Sequence, residues 1–129
     1  MKHNVTLTIM SLLAALLASL HLSDDVARGF ERGGPSTYNA IFILVVWLYA
    51  TLVLAERRAG HIIILVGSIL GAGVPYLHMR GAGMVGGRVA NTSGMLFWVW
   101  TLLALGATSM LSAILAAHGL WSLGRNRSR

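Results

Sequence analysis

The chain has 129 residues, 56% of them hydrophobic and only 11% charged, with a formal net charge of +6. A soluble domain carries about 25% charged residues, so this chain cannot cover itself with polar surface and needs lipid around it. The basic excess then reads as loop and tail residues that set topology and touch anionic headgroups, which argues against a nucleic-acid partner.

Cysteine is absent, which excludes disulfides, thiolate metal sites and cysteine nucleophiles. Four apolar segments stand out, at residues 5–22, 38–55, 61–79 and 94–117. Each is near the roughly 20 residues that a bilayer-crossing helix needs. No segment alternates as a strand would, and an unpaired strand cannot cross lipid. The expected fold is all-α: one domain over residues 1–129, a polytopic four-transmembrane-helix bundle.

The first segment follows Lys2 and resembles a signal peptide at its start. Its apolar run is long and no small-x-small cleavage pattern precedes His21, so it reads as a retained helix. Ser11, Ala15 and Ser19 give it a small stripe for close approach of another helix. Past Leu22 the chain either continues as helix or restarts with Ser23 as a cap. Gly33-Gly34-Pro35 should end that element.

The second segment is bulky around its circumference, from Ile41 to Tyr49, which predicts wide lipid contact. Its Trp47 sits near mid-membrane, where packing is the expected role. Glu56 to Gly60 should form a tight turn with Gly60 as a helix cap. In the third segment Gly67 and Gly71 make a small-x-x-x-small packing signal. Pro75 removes the hydrogen bond to the Gly71 carbonyl and should kink the helix. The loop from Gly81 to Arg88 formally matches G-x-G-x-x-G. It follows a membrane helix rather than a strand, so a dinucleotide site is rejected. The fourth segment carries Phe97, Trp98 and Trp100 at one end and Trp121 at the other, an aromatic belt. Ser109, Ala113 and Ala117 form its packing stripe, and the basic tail reads as a lipid anchor.

With four crossings both termini share one side. That side holds Lys2, Arg57, Arg58, Arg125, Arg127 and Arg129, against Arg28, Arg32, Arg80 and Arg88 on the other. Six basic residues against four place the termini in the cytoplasm by the positive-inside rule. The expected localisation is the bacterial inner membrane, with lipids and further copies of the chain or a larger membrane complex as partners.

The candidate site is an outer polar cluster. His21, Asp24, Asp25 and Arg28 fall at i, i+3, i+4 and i+7 and share one helical face. His78 and Arg80, at the end of the third segment, should lie at the same depth. Two imidazoles and a carboxylate, taken as His21, His78 and Asp24 with Asp25 as the alternative carboxylate, suit a divalent metal. The two arginines favour an anionic ligand or a salt-bridge network instead, and a purely structural polar cap is the third reading. Haem is disfavoured, because both histidines lie at the bundle's end and haem needs a large apolar slot. A second cluster, Glu56, Arg57, Arg58, His61 and His118, reads as a solvated turn.

None of the four segments places an ionisable residue near its middle, where coupled carriers usually have one. Recognisable hydrolase, zincin and phosphate-loop motifs are also absent. The functional expectation is a small membrane binding or accessory protein that acts through its outer cluster on a ligand, ion or partner. The alternative is a small oligomeric transporter or channel.

Overall fold

The computed structural model describes residues 2–30, 34–79 and 93–125. They form four α-helices: α1 (Lys2–Ala27), α2 (Pro35–Val53), α3 (Arg58–Met79) and α4 (Met95–Arg125). No strand occurs among the described residues. Each helix is long and apolar enough to cross a membrane. Consecutive helices run antiparallel. The C-terminal ends of α1 and α3 and the N-terminal ends of α2 and α4 therefore meet at one end of the bundle, called here the cap end. Arg80 and the glycine loop from Gly81 to Arg88 lie outside the described residues.

The helix bounds differ from the expected ones in two places that matter. First, α1 does not stop at Leu22; it carries the whole His21–Ala27 stretch as its last turns. What ends it is a Schellman turn. Gly29 adopts φ +71, its N–H donates to the Val26 carbonyl at 3.0 Å, and the Phe30 N–H donates to the Asp25 carbonyl at 2.9 Å. The left-handed residue reverses the chain and satisfies carbonyls that the helix end leaves open. Phe30 then packs on Trp98 and Leu102 of α4. Second, α4 runs past residue 117 to Arg125, so Trp121 and the start of the basic tail are helical. There the Arg125 guanidinium sits 5.1 Å from the Trp121 ring centroid.

Gly60 is not a cap. It lies in the first turn of α3, and a Cβ there would collide with the backbone of Leu54. Its missing side chain is what allows the tight turn from α2 into α3. Pro75 is carried within α3, and Gly106 of α4 makes room for its ring, which a Cβ would meet at 2.8 Å.

In cross-section α4 packs along both α1 and α3, while α2 touches α1 and α3 but not α4. The α3–α4 seam is built from small residues. Gly71 faces Ser109, and Gly119 faces the His61 ring. Ser68 donates a hydrogen bond to Ser112 at 2.8 Å. In lipid there is little hydrophobic gain from bringing helices together, so close van der Waals contact and interhelical hydrogen bonds hold them. The buried face of α4 runs Trp98, Thr101, Leu105, Ser109, Ser112, Ala116 and Gly119. That spacing corrects the expected stripe: Ala113 is half-buried and Ala117 exposed. A strict spacing of four rotates by about 40° at each step around a 3.6-residue helix, so it leaves the contact face.

The bulky α2 contributes few buried residues: Thr37, Trp47, Ala50 and Thr51. Trp47 is the wedge. Its indole lies over Gly67, and its Nε1–H donates to Ser11 Oγ at 2.8 Å. Ser11 and Thr51 hydroxyls pair at 2.7 Å, and Thr51 also donates to the Trp47 carbonyl. Tyr38, Phe42, Val45, Tyr49 and Leu52 remain exposed on the opposite face, as an apolar environment would have them.

Gly71→Leu should be strongly destabilising, because the added side chain has to displace both Ser109 and Trp47. The expected loss is about 1–3 kcal/mol, read as a lowered midpoint of thermal unfolding in detergent. An unchanged midpoint would mean that α3 and α4 do not approach as closely as described.

Candidate metal centre

Three helices bring five polar side chains to the cap end. α1 supplies His21 and Asp25, one turn apart on the face turned inward by the extension of the helix. α3 supplies His78 from its last turn. α4 supplies Trp98 and Thr101 from its first. His21 and Asp25 are buried at 3% and 4% exposure, so their polar atoms must find partners within the protein.

The partners are specific. Asp25 Oδ1 accepts a hydrogen bond from Trp98 Nε1–H at 2.7 Å. Asp25 Oδ2 faces His78 Nε2 at 3.0 Å and His21 Nε2 at 3.6 Å. The three rings enclose the carboxylate: His21 to His78 centroids are 4.9 Å apart, His21 to Trp98 5.3 Å and His78 to Trp98 5.5 Å.

The far sides of the two imidazoles set their tautomers. His78 Nδ1 lies 3.0 Å from the Val74 carbonyl, which can only accept, so Nδ1 carries a proton. His21 Nδ1 lies 3.4 Å from Thr101 Oγ1. That hydroxyl spends its own proton on the nearer Trp98 carbonyl at 3.0 Å, so His21 Nδ1–H is the donor in a long bond. His78 Nε2 is hydrogen-bonded to Asp25 Oδ2, an ion pair when the ring is protonated. His21 Nε2 is buried without a hydrogen-bond partner. One ligand atom from each of His21, Asp25 and His78 lies within 4.8 Å of the others, a grouping that a shared proton or a metal cation would stabilise. A proton between His78 Nε2 and Asp25 Oδ2 satisfies one contact and leaves His21 unserved.

The other residues expected at this site fall elsewhere. Asp24 turns away and accepts a hydrogen bond from Arg28 Nε at 2.7 Å, which takes both out of the cluster. Of the two carboxylates, Asp25 is the one that faces the histidines, because i+4 lies closer to His21's face than i+3 does and the Arg28 side chain reaches back to Asp24. Arg80 lies outside the described residues. Trp98 and Thr101 complete the site without having been expected there. As part of an aromatic belt Trp98 should face lipid, yet it is 5% exposed, while its neighbours Phe97 and Trp100 are exposed. The signal was the i, i+3 pair of a tryptophan and a threonine, both hydrogen-bonding, at the start of the small-residue face of α4.

At the opposite end the second cluster does not converge. His61 is buried against Gly119 and hydrogen-bonds the Arg57 carbonyl at 3.1 Å. His118 stacks edge-on against Trp121 at 6.2 Å between centroids.

The chain matches no protein-family model, no curated protein and no solved structure. Its function is therefore argued from this geometry alone.

Asp25→Ala should be costly and Asp24→Ala cheap. The first strands the buried Trp98 N–H and removes the hydrogen-bond partner of His78 Nε2, for a loss of about 2–4 kcal/mol. The second removes one ion pair near the surface, for about 1 kcal/mol or less. Thermal unfolding of the two variants side by side checks the order, and the reverse order would displace Asp25 from the centre of the cluster.

Proposed function

We propose that this chain is a small integral membrane binding protein that takes one divalent d-block cation at its cap end, through His21 Nε2, Asp25 Oδ2 and His78 Nε2. The observation that carries the reading is the convergence of three ligand-capable atoms within 4.8 Å of one another, on side chains held from their far sides by other partners. Each imidazole commits Nδ1–H to a protein acceptor, and the carboxylate commits its second oxygen to Trp98. Such outer hydrogen bonds fix the tautomer and orientation of metal-binding side chains.

Zinc suits the donor set best. Two imidazoles and one carboxylate with a fourth position open is a common zinc arrangement, whereas magnesium and calcium want mostly oxygen. Tetrahedral zinc sets donors ~3.3 Å apart. The contacts of 3.0 Å and 3.6 Å about Asp25 bracket that spacing, and small side-chain rotations would bring the imidazoles in. Entry of the metal displaces the shared proton, so binding should weaken as the medium is acidified.

The middle of the bundle favours binding over a route for solutes through the chain. Among the described residues, Ala14, Trp47, Ser68 and Ser112 are buried there. The Ser11, Thr51, Trp47, Ser68 and Ser112 polar groups are paired with one another, and Ser109 Oγ is the exception. In this reading the helices cross the membrane with both termini cytoplasmic, as the arginine distribution favours. A reporter fused after Arg129 should then behave as cytoplasmic and one inserted at Gly86 as external; the opposite pattern would invert the protein.

Metal content after equilibrium dialysis against zinc tests the site. About one zinc per chain is expected. His21→Ala, Asp25→Ala and His78→Ala should each weaken uptake by at least tenfold, roughly the loss seen even for outer-sphere changes. Asp24→Ala should retain it. Uptake that survives both histidine substitutions would overturn the proposal.

A further inference from the structure

A cleft of about 330 Å³ runs down from the cluster between α1, α2 and α3. It exists because α2, wedged at Trp47 and joined to α3 by the tight turn at the other end, does not close against α1 and α3 near the cap. From Gly67, level with Trp47, to His78 the cleft follows α3 for roughly 16 Å at 1.5 Å per residue. Its walls are hydrocarbon, among them Leu22, Ala40, Leu44 and Val74, and its polar side chains are His21, Asp25 and His78 at the cap end. Trp47 also lines it, but the indole N–H is given to Ser11. The rim residues Ile43, Leu70 and Leu77 are exposed, so the cleft opens sideways from the bundle.

Resting on the metal reading above, we infer that this cleft binds a long-chain carboxylate, with its hydrocarbon chain against α2 and α3 and its head on the open position of the metal. The wall chemistry selects a molecule with a single polar end. Sugars, nucleotides and peptides would bury polar groups that the cleft cannot satisfy. The charge at the cluster selects the head. A divalent cation with one carboxylate and two neutral imidazoles carries a net charge of +1, and in surroundings of low dielectric an anionic oxygen is the ligand that neutralises it. His21, Asp25 and His78 all line this same cleft, so a metal held by them borders the space in which the head would sit. A phospholipid offers the same chain, but its bulky headgroup belongs in the interface and would leave the metal uncapped.

The test uses the full chain in lipid nanodiscs, loaded with zinc. The probes are a fatty acid brominated near the end of its chain, its methyl ester, and a phosphatidylcholine carrying the same chain. Bromine quenches nearby tryptophan, and the part of the signal lost in Trp47→Phe reports on the cleft. The acid should quench Trp47 at about tenfold lower concentration than the ester or the phospholipid, equivalent to about 1.4 kcal/mol. Chelating the zinc should abolish that preference. Ala40→Phe, which adds volume to the α2 wall of the cleft, should abolish quenching by the acid while zinc content stays at its normal value. Equal quenching by all three probes with zinc bound, or full acid affinity in Ala40→Phe, overturns this inference and leaves the metal reading intact. Failure to take up zinc overturns the metal reading and this inference with it.

Discussion

A single buried carboxylate organises the cap end of this molecule. Asp25 is nearly inaccessible on a helix otherwise apolar enough to lie in a bilayer. A bare anion there would be severely destabilising, so the surrounding elements must supply donors. Trp98 Nε1–H takes one oxygen and the His78 imidazole faces the other. Those two contacts join α1 to α4 and to α3, and they set the axial register of three helices at once. The Schellman turn at Gly29 ends α1 just past the cluster, and Phe30 then folds back onto the Trp98 side.

The rest of the bundle is held by a different kind of contact. Along α3 and α4 the residues at closest approach are glycine, serine and alanine, and serine hydroxyls pair across the seam. Close packing of this sort needs no apolar driving force and so works in lipid. It also makes the seam intolerant of volume, because a side chain added at Gly71 or Gly119 meets its neighbour at once. α2 is joined differently. It buries Trp47, Ala50 and Thr51, and Thr37 in its first turn, while its bulky outer face makes no close seam.

That unequal packing has a functional consequence. A symmetric four-helix bundle would bury the cluster under α2 and leave it closed. Here the open side between α1, α2 and α3 gives His21, Asp25 and His78 a hydrocarbon-walled approach from the side of the bundle, while Leu102 and Leu105 stay packed on the α4 side. The polar centre therefore borders an apolar cleft.

Much of this was legible in the order of residues. Four long apolar stretches cannot be covered by so few charges, so an all-helical, membrane-compatible chain follows from composition and length alone. Gly67 and Gly71 gave a close-packing signal, and His21 and His78 were expected at one depth, with Asp24 or Asp25 beside them, because the first and third helices run the same way. What the sequence could not decide was which of two adjacent carboxylates turns inward. Asp24 and Asp25 differ by about 100° around the helix, and only the placement of α3 and α4 tells which direction is in. The same holds for Trp98, whose amphipathic ring suits a lipid interface and a buried hydrogen bond equally well, and for Ala117, which strict spacing put on the contact face and the structure leaves exposed. Composition and periodicity are local and determine what each helix is; rotation about the helix axis depends on neighbours distant in the chain, and so only the tertiary structure decided which atoms meet.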